Sequence, residues 1–192
     1  SLFNEPDTMS ESAVPYFADI FAKARELDVQ KRPRTFAMEL NSSPEKCTCH
    51  QFSDFLCFNR YYGWYLLGGY EMQDAEEAFR AELDAWLAKG VNCPFVFTEY
   101  GCDNLQGEYK LPSVQWSAEY ELEYLKIYER VFDSYDCIKG EQVWNFADFQ
   151  TVEGIMRVNG NKKGIFTRQR QPKAAAYYFK NRWENLPVDY KG

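Results

Sequence analysis

The chain has 192 residues and is acidic, with 22 lysines and arginines against 29 aspartates and glutamates, for a formal net charge of −7. Hydrophobic residues make up 45% and aromatic residues 18%, which excludes a disordered or low-complexity chain because this apolar surface can offset the entropy of ordering. The acidity argues against a nucleic-acid partner. The sequence also has no apolar run of about 18 residues, so we expect no membrane partner.

Helix-like and strand-like segments alternate along the chain. Helices are recognised by apolar residues at spacings of three and four, and strands by short runs that are apolar throughout. In chain order, the pattern predicts the end of a strand at 1–3, a helix at 12–27, strands at 35–40 and 55–59, a helix at 73–89, a strand at 94–98, a helix at 117–132, a strand at 141–147 and a helix at 172–183. Buried strands separated by helices are typical of parallel βα units.

This alternation predicts an α/β fold, a closed (β/α)8 or TIM barrel. About five strands are found where a complete barrel has eight, so we expect the chain to supply the C-terminal half, from roughly the end of strand 4 through helix 8. A doubly wound open sheet shows the same alternation, but it usually carries a glycine-rich phosphate loop after its first strand, and none is found here. Residues 1–6 lack a start methionine and the features of a signal peptide, and we expect the chain to be cut from a longer polypeptide.

The six cysteines follow no zinc-site spacing. Cys47, Cys49 and His50 form one short cluster without a second half, so their role stays open, and we expect neither a metal nor another cofactor. The better hypothesis is that the thiols are reduced, as they are in the cytoplasm.

Two glutamates follow strand-like segments in the same local pattern, Asn4-Glu5-Pro6 and Thr98-Glu99-Tyr100-Gly101. The carboxyl ends of barrel strands carry catalytic groups, and a carboxylate at the end of a buried strand is costly to desolvate unless it has partners or a role. Either glutamate alone could be a solvated loop acid. A pair that faces one cavity, however, is what cleavage of a glycosidic bond needs.

Three further blocks accompany the glutamates: Asn59-Arg-Tyr-Tyr-Gly-Trp-Tyr65, Val143-Trp-Asn-Phe-Ala-Asp-Phe149 and Asn161-Lys-Lys-Gly-Ile-Phe-Thr-Arg168. Together with the glutamate motifs they resemble the β-glucuronidases of glycoside hydrolase family 2, over essentially the whole chain. The resemblance implies a retaining exo-glycosidase whose small-molecule substrates are β-D-glucuronides. It also implies an upstream jelly-roll domain, an immunoglobulin-like domain and the first half of the barrel, and a homo-oligomer that is often a tetramer.

The resemblance assigns the reaction to the two glutamates. Glu5 would be the acid/base, Glu99 the nucleophile, and Asn4 would hold the sugar 2-hydroxyl. In a double displacement, Glu99 attacks the anomeric carbon while Glu5 protonates the departing aglycone. Water deprotonated by Glu5 then releases glucuronate with net retention. Family members also place a tryptophan under the sugar ring, which corresponds to Trp144.

A basic segment supports an anionic sugar independently of the resemblance. Residues 157–173 contain six lysines and arginines and no acid. A solvated basic loop is the alternative interpretation. A C6 carboxylate distinguishes glucuronate from glucose and needs an ammonium and amide donors to replace its water. The family's Asn-x-Lys pattern fits Asn161 and Lys163 as the contacts, with Arg157 and Tyr65 assisting.

Other residues receive smaller roles. Tyr61 follows a strand end, where a tyrosine hydroxyl could tune the ionisation of the nucleophile. Lys162 is expected to point away from the sugar, and Asp148 could be only structural. Five aromatic residues are predicted to pack in the core or between helices: Phe17, Phe79, Trp86, Phe132 and Trp183.

Two other functions stay open. A family relative could cleave β-galactosides, β-mannosides or β-galacturonides instead, and replacing Lys163 by alanine would discriminate it, because neutral glycosides should be little affected. A non-catalytic sugar-binding module would need no acid/base pair. Because a half-barrel exposes unpaired strand edges, we expect no activity without the upstream part of the same polypeptide.

Overall fold

Helices and parallel strands alternate in the computed structural model, which describes residues 1–190. In chain order the elements are helix α1 (Ala13–Leu27), strand β1 (Ala37–Met38), a short 3-10 helix (His50–Phe52), strand β2 (Leu56–Asn59), helix α2 (Met72–Ala88), strand β3 (Phe95–Glu99), helix α3 (Ala118–Ser134), strand β4 (Ile138–Glu141) and helix α4 (Ala174–Asn185). None of the helices among these residues is long and apolar enough to cross a membrane.

The four strands form one parallel sheet in the order β1-β2-β3-β4. The first residues extend this sheet, since Asn4 bridges Ala37 in parallel and the Glu5 amide donates to the Ala37 carbonyl at 2.9 Å. The carboxyl ends of five parallel segments therefore meet at one edge. This is the edge where (β/α) proteins build their sites.

The helices lie within two residues of their predicted bounds, because each shows its apolar face over at least three turns. The strand predicted at 141–147 is wrong. The strand of this unit is β4, residues Ile138–Glu141, which includes Lys139 and Glu141 and so lacks an apolar run. The apolar run beyond it bonds elsewhere: Trp144 N donates to Tyr100 O at 2.8 Å, and Asn145 N donates to Lys163 O at 3.0 Å.

Aromatic side chains fill the space between the sheet and the helices. Four of the five predicted packing residues are buried, namely Phe17, Phe79, Trp86 and Phe132. Each such side chain stabilises the fold by about 1.5–3 kcal/mol relative to an exposed one. Trp183 differs, because 48% of its surface is exposed and its ring stacks only on one side, against Phe179 at 4.9 Å. It lies on the open flank of the sheet, next to the edge strand β4.

Candidate active site

A cavity of about 300 Å³ opens at the carboxyl edge of the sheet. It is lined by Asn4, Glu5, Tyr61, Tyr65, Glu99, Trp144, Phe149, Thr151, Arg157 and Asn161. Eight of the nine predicted site residues thus come together from segments that are far apart in sequence. The ninth, Lys163, is buried behind the wall of the cavity and contacts it through Tyr65. The chemical roles assigned to these nine residues stay predictions.

Asn59 ties the two glutamate-bearing strand ends together. It is the last residue of β2, is fully buried and pairs in register with Glu99. Its side-chain amide donates to Asn4 Oδ1 at 3.2 Å and to Glu5 Oε1 at 3.0 Å, while its Oδ1 accepts from Thr98 Oγ1 at 2.7 Å. Asn59 has no role of its own among the residues predicted from the sequence. A polar residue at the end of a fully apolar strand was the available signal.

Glu5 adopts a backbone conformation that is uncommon for residues with a side chain. Its φ is +51°, in the left-handed region, and Pro6 follows it. The hydrogen bond from its amide to Ala37 O keeps this turn attached to the sheet. Strained backbone of this kind is often found at functional sites.

The Glu99 carboxyl lies in a partly buried position beside two groups that act on it in opposite directions. Burial raises the pKa of Glu99 above the ordinary value for a glutamate. The Tyr61 hydroxyl donates to Glu99 Oε2 at 2.6 Å and opposes this effect, whereas the negative charge of Glu5 adds to it. Burial also raises the pKa of Tyr61, as does the adjacent carboxylate, so the phenol keeps its proton and acts as a donor.

One wall of the cavity is backed by two cations that share one acceptor, the Tyr65 hydroxyl oxygen. The Lys163 ammonium donates to Tyr65 Oη at 3.0 Å and to the buried carboxylate of Asp103. The Arg157 guanidinium also donates to Tyr65 Oη and lies 3.7 Å from Asp103 Oδ2. Asn161 completes this wall, and its Oδ1 accepts from the Lys163 amide at 2.9 Å. We call Lys163, Arg157, Tyr65, Asp103 and Asn161 the cationic wall.

The basic segment divides into groups with different surroundings. Lys163 belongs to the cationic wall, whereas Lys173 makes a second buried ion pair, 3.1 Å from Asp148. Arg168 and Arg170 are exposed and lie outside the lining of the cavity. The solvated-loop interpretation therefore fits these two arginines. The acidic partners of Lys163 and Lys173 lie outside the basic segment, at Asp103 and Asp148 respectively.

A second polar cluster contacts the backbone of the basic segment at Lys162. The Lys173 ammonium donates to Asp148 Oδ1 at 3.1 Å and to the carbonyls of Asn104 and Lys162 at 3.0 and 2.7 Å. The side-chain amide of Asn104 donates to the buried Glu121 at 2.7 Å. We call these residues the strut. Its contacts support a structural role for Asp148. The side chain of Lys162 lies outside the cavity lining.

The backbone of Trp144, a residue that lines the cavity, packs unusually closely against the backbone of Gly101. A Cβ atom added to Gly101 would lie 2.3 Å from the Trp144 carbonyl oxygen, and Gly101 has φ +153°. A side chain at position 101 would therefore push Trp144 away from its position. Glycine is required here because it lacks a Cβ atom.

Cys47, Cys49 and His50 pack at the core, where Cys47 Sγ lies 3.9 Å from Met38 Sδ and the His50 ring lies edge-on to Trp86 at 5.4 Å. Both cysteines are buried, and His50 Nδ1 lies 3.1 Å from the Cys47 carbonyl oxygen. Across residues 1–190 there is no group of three or more histidine, cysteine, aspartate or glutamate side chains that could hold a metal ion.

Comparison with known proteins was made against family models, curated proteins and solved structures. The family model described as "Glycosyl hydrolases family 2, TIM barrel domain" matches residues 1–188. The chain belongs to this family. Membership confirms the predicted fold class, and the parallel sheet with its helices is part of a (β/α) barrel.

Family 2 relatives of this chain are named as β-glucuronidases. That of Paenibacillus borealis is 46% identical over 186 residues, which cover 97% of this chain and 30% of the relative. That of Streptococcus agalactiae is 40% identical over 184 residues, covering 96% of this chain and 31% of the relative. The chain therefore spans about a third of the length of these relatives.

Solved structures of a family 2 enzyme also match. The β-glucuronidase from Ruminococcus gnavus in complex with D-glucuronic acid superposes with a TM-score of 0.92 at 60% identity, covering 95% of this chain and 32% of that one. A complex of the same protein with uronic isofagomine gives the same score and identity and covers 31% of that chain.

Proposed function

We propose that the full-length polypeptide carrying this chain is a retaining β-glucuronidase, which hydrolyses β-D-glucuronides to glucuronate and the aglycone. The observation that carries the proposal is one cavity lined by Glu5 and Glu99, from the carboxyl ends of two parallel segments of one sheet, together with Tyr65, Arg157 and Asn161 of the cationic wall. The names of the relatives and the D-glucuronic acid bound to the R. gnavus enzyme support the same substrate.

In the first step, the Glu99 carboxylate attacks the anomeric carbon. The bond to the aglycone oxygen breaks, and that oxygen takes the proton of Glu5. In the second step, water gives a proton to Glu5 and attacks the anomeric carbon, which releases Glu99 and glucuronate with net retention. Tyr61 supports this sequence, because its hydrogen bond favours the ionised form of Glu99.

Substrate recognition uses the remaining predicted residues. Asn4, positioned by Asn59, would bond to the 2-hydroxyl, and Trp144 would stack on the apolar face of the sugar. The C6 carboxylate would meet the cationic wall. There Tyr65 Oη already accepts from Lys163 and Arg157, so it has its own proton left to donate to an anion.

The activity is proposed for the longer polypeptide, with upstream jelly-roll, immunoglobulin-like and half-barrel portions. An apolar groove beside the edge strand β4 supports a covering partner. Its volume is about 550 Å³ and its lining includes Val143, Phe146, Phe179 and Trp183. We infer that the first half of the barrel covers this groove. We also infer that the present chain is inactive when it is expressed without that first half. Restored activity on mixing the two halves would support this arrangement, and activity of the present chain alone would contradict it.

Assembly and location belong to the same proposal. We propose a homotetramer, as the family resemblance implies, which sedimentation of the full-length protein would test. Cys47, Cys49, Cys57, Cys93 and Cys102 are free thiols, which supports a reducing, cytoplasm-like compartment. Fractionation of the source cells, followed by an activity assay on each fraction, would test the compartment.

The test of the function is hydrolysis of matched aryl β-D-glucuronide, β-D-galacturonide and β-D-galactoside by the full-length protein. We expect the glucuronide to be preferred. Glu99→Gln should reduce its kcat/KM by at least about a thousandfold, or about 4 kcal/mol of transition-state stabilisation. The matched control is Glu11→Gln, at an exposed glutamate outside the cavity. Full activity of Glu99→Gln, or preference for another glycoside, would contradict the proposal.

A further inference from the structure

Asp103 is the buried carboxylate of the cationic wall. It lies four residues after Glu99, in the loop that follows β3, and its side chain is fully buried. It is absent from the lining of the cavity, so its carboxylate does not face the substrate. Any effect of Asp103 on the reaction must therefore pass through its neighbours.

Those neighbours belong to the cationic wall or to the backbone between Asn161 and Lys163. Asp103 Oδ2 accepts from the Lys163 ammonium and lies 3.7 Å from Arg157 Nη1. Asp103 Oδ1 accepts from the backbone amide of Lys162 at 2.7 Å, which fixes the segment between Asn161 and Lys163. One carboxylate thus holds a cation, approaches a second and orients the backbone that carries the first.

The charges explain why an acid is needed there. Lys163 and Arg157 both donate to Tyr65 Oη, which brings two positive charges to one oxygen atom. A buried ammonium without a partner is strongly unfavourable, and two adjacent cations repel each other. With one negative charge from Asp103, the group keeps a net charge of +1. This net charge matches a single carboxylate on the sugar.

We propose that Asp103 is a positioning residue that sets the preference for an anionic sugar. It holds Lys163 in place beside Tyr65, so that the cationic wall receives a uronic carboxylate without reorganisation. This inference rests on the proposed function, since it concerns the recognition of a glucuronide by the same cavity.

The test compares Asp103→Asn with Asp148→Asn in the full-length protein. Both variants neutralise a buried aspartate that is paired with a lysine of the same segment, but the Asp148 pair lies in the strut. For Asp103→Asn we expect KM for an aryl β-D-glucuronide to rise at least tenfold while kcat falls less than threefold. Inhibition by free D-glucuronate should weaken by a similar factor. Asp148→Asn should melt at a lower temperature with KM changed less than threefold.

Asp103→Glu gives a second measurement if Asp103→Asn does not fold. Because Asp103→Glu keeps the negative charge, it should fold. Its KM should lie between those of the wild type and of a Lys163→Met variant. A wild-type KM in a folded Asp103→Asn or Asp103→Glu variant would overturn the inference, as would equal losses in Asp148→Asn. A wild-type protein that does not cleave glucuronides would instead overturn the proposed function, so the two failures are distinguishable.

Discussion

The cationic wall and the strut are built from the same kind of contact and differ in what surrounds it. Each contains a lysine of the basic segment buried against an aspartate, Lys163 with Asp103 and Lys173 with Asp148. Lys163 gives a further hydrogen bond to Tyr65 on the cavity, whereas Lys173 gives its further bonds to backbone carbonyls. Under the proposed function, one lysine–aspartate pair therefore serves substrate recognition and the other serves the stability of the fold. The difference lies in which groups accept the other hydrogen bonds of the ammonium.

The largest expected effect comes from breaking the strut. Lys173→Met should lower the free energy of unfolding by about 3–5 kcal/mol, because it leaves Asp148 buried without its cation. Chemical denaturation of the full-length protein measures this loss. Replacing both partners, as Lys173→Met with Asp148→Leu, should recover much of the stability. If Lys173→Met were as stable as the wild type, the strut would lack the stabilising role that distinguishes it from the cationic wall.

Breaking the cationic wall should act on the substrate instead. Lys163→Met should reduce kcat/KM for an aryl β-glucuronide by about a hundredfold, or about 2.7 kcal/mol, because the C6 carboxylate loses its ammonium. Any activity on the corresponding β-galactoside should change less than threefold. Parallel kinetics on the two substrates provide the check. Equal losses on both would mean that Lys163 acts as part of the scaffold.

A pH experiment can sharpen the account of the strut. Burial raises the pKa of Glu121 to about 7, so the folded state favours its protonated form. Stability from this group is present at low pH and is lost as the pH rises from about 4.5 to about 7. Glu121→Gln should therefore make the protein more stable at pH 8, by about 2–3 kcal/mol, and leave it nearly unchanged at pH 4.5. Unfolding measured at both pH values would show a flatter dependence in the variant, and an unchanged slope would contradict this prediction.

The smallest expected effect concerns Tyr61, whose ring packs against that of Tyr65 in the cationic wall with 4.9 Å between the centroids. Tyr61→Phe removes the hydrogen bond that lowers the pKa of Glu99, so this pKa should rise further. The nucleophile would then stay protonated to a higher pH, and the acid limb of the kcat/KM profile should move upward. At neutral pH we expect about a tenfold loss of activity, since one hydrogen bond to a charged group contributes about 1.5 kcal/mol or more. A profile that keeps its acid limb would show that Tyr61 does not act through Glu99.

Much of the fold could be predicted from local patterns, because helices of three or more turns repeat their apolar face several times. Strands offer fewer residues, and the fourth was wrong because residues 143–147 are mostly apolar without being paired in the sheet. Trp183 was assigned to packing from its hydrophobicity alone, yet nothing among the described residues covers the outer side of its ring beside the β4 edge.

The site was predictable only where its residues follow strand ends in a recognisable pattern. Glu5 and Glu99 were found in this way, and both line the cavity. Asp103 and Asn59 were missed because their importance comes from contacts that span 60 and 54 residues, with Lys163 and Glu5 respectively. A buried aspartate in a loop has no distinguishing neighbour in sequence. Its partner becomes visible only when the chain is folded.

The close approach of Gly101 to Trp144 has a consequence for engineering this family. Even the Cβ atom of an alanine at position 101 would overlap the Trp144 carbonyl oxygen. Variants at this position would therefore displace Trp144. The segment around Val152 and Ile155 is solvent-exposed and borders the mouth at Thr151. Diversity placed there would reshape the entrance of the cavity while Trp144 keeps its position.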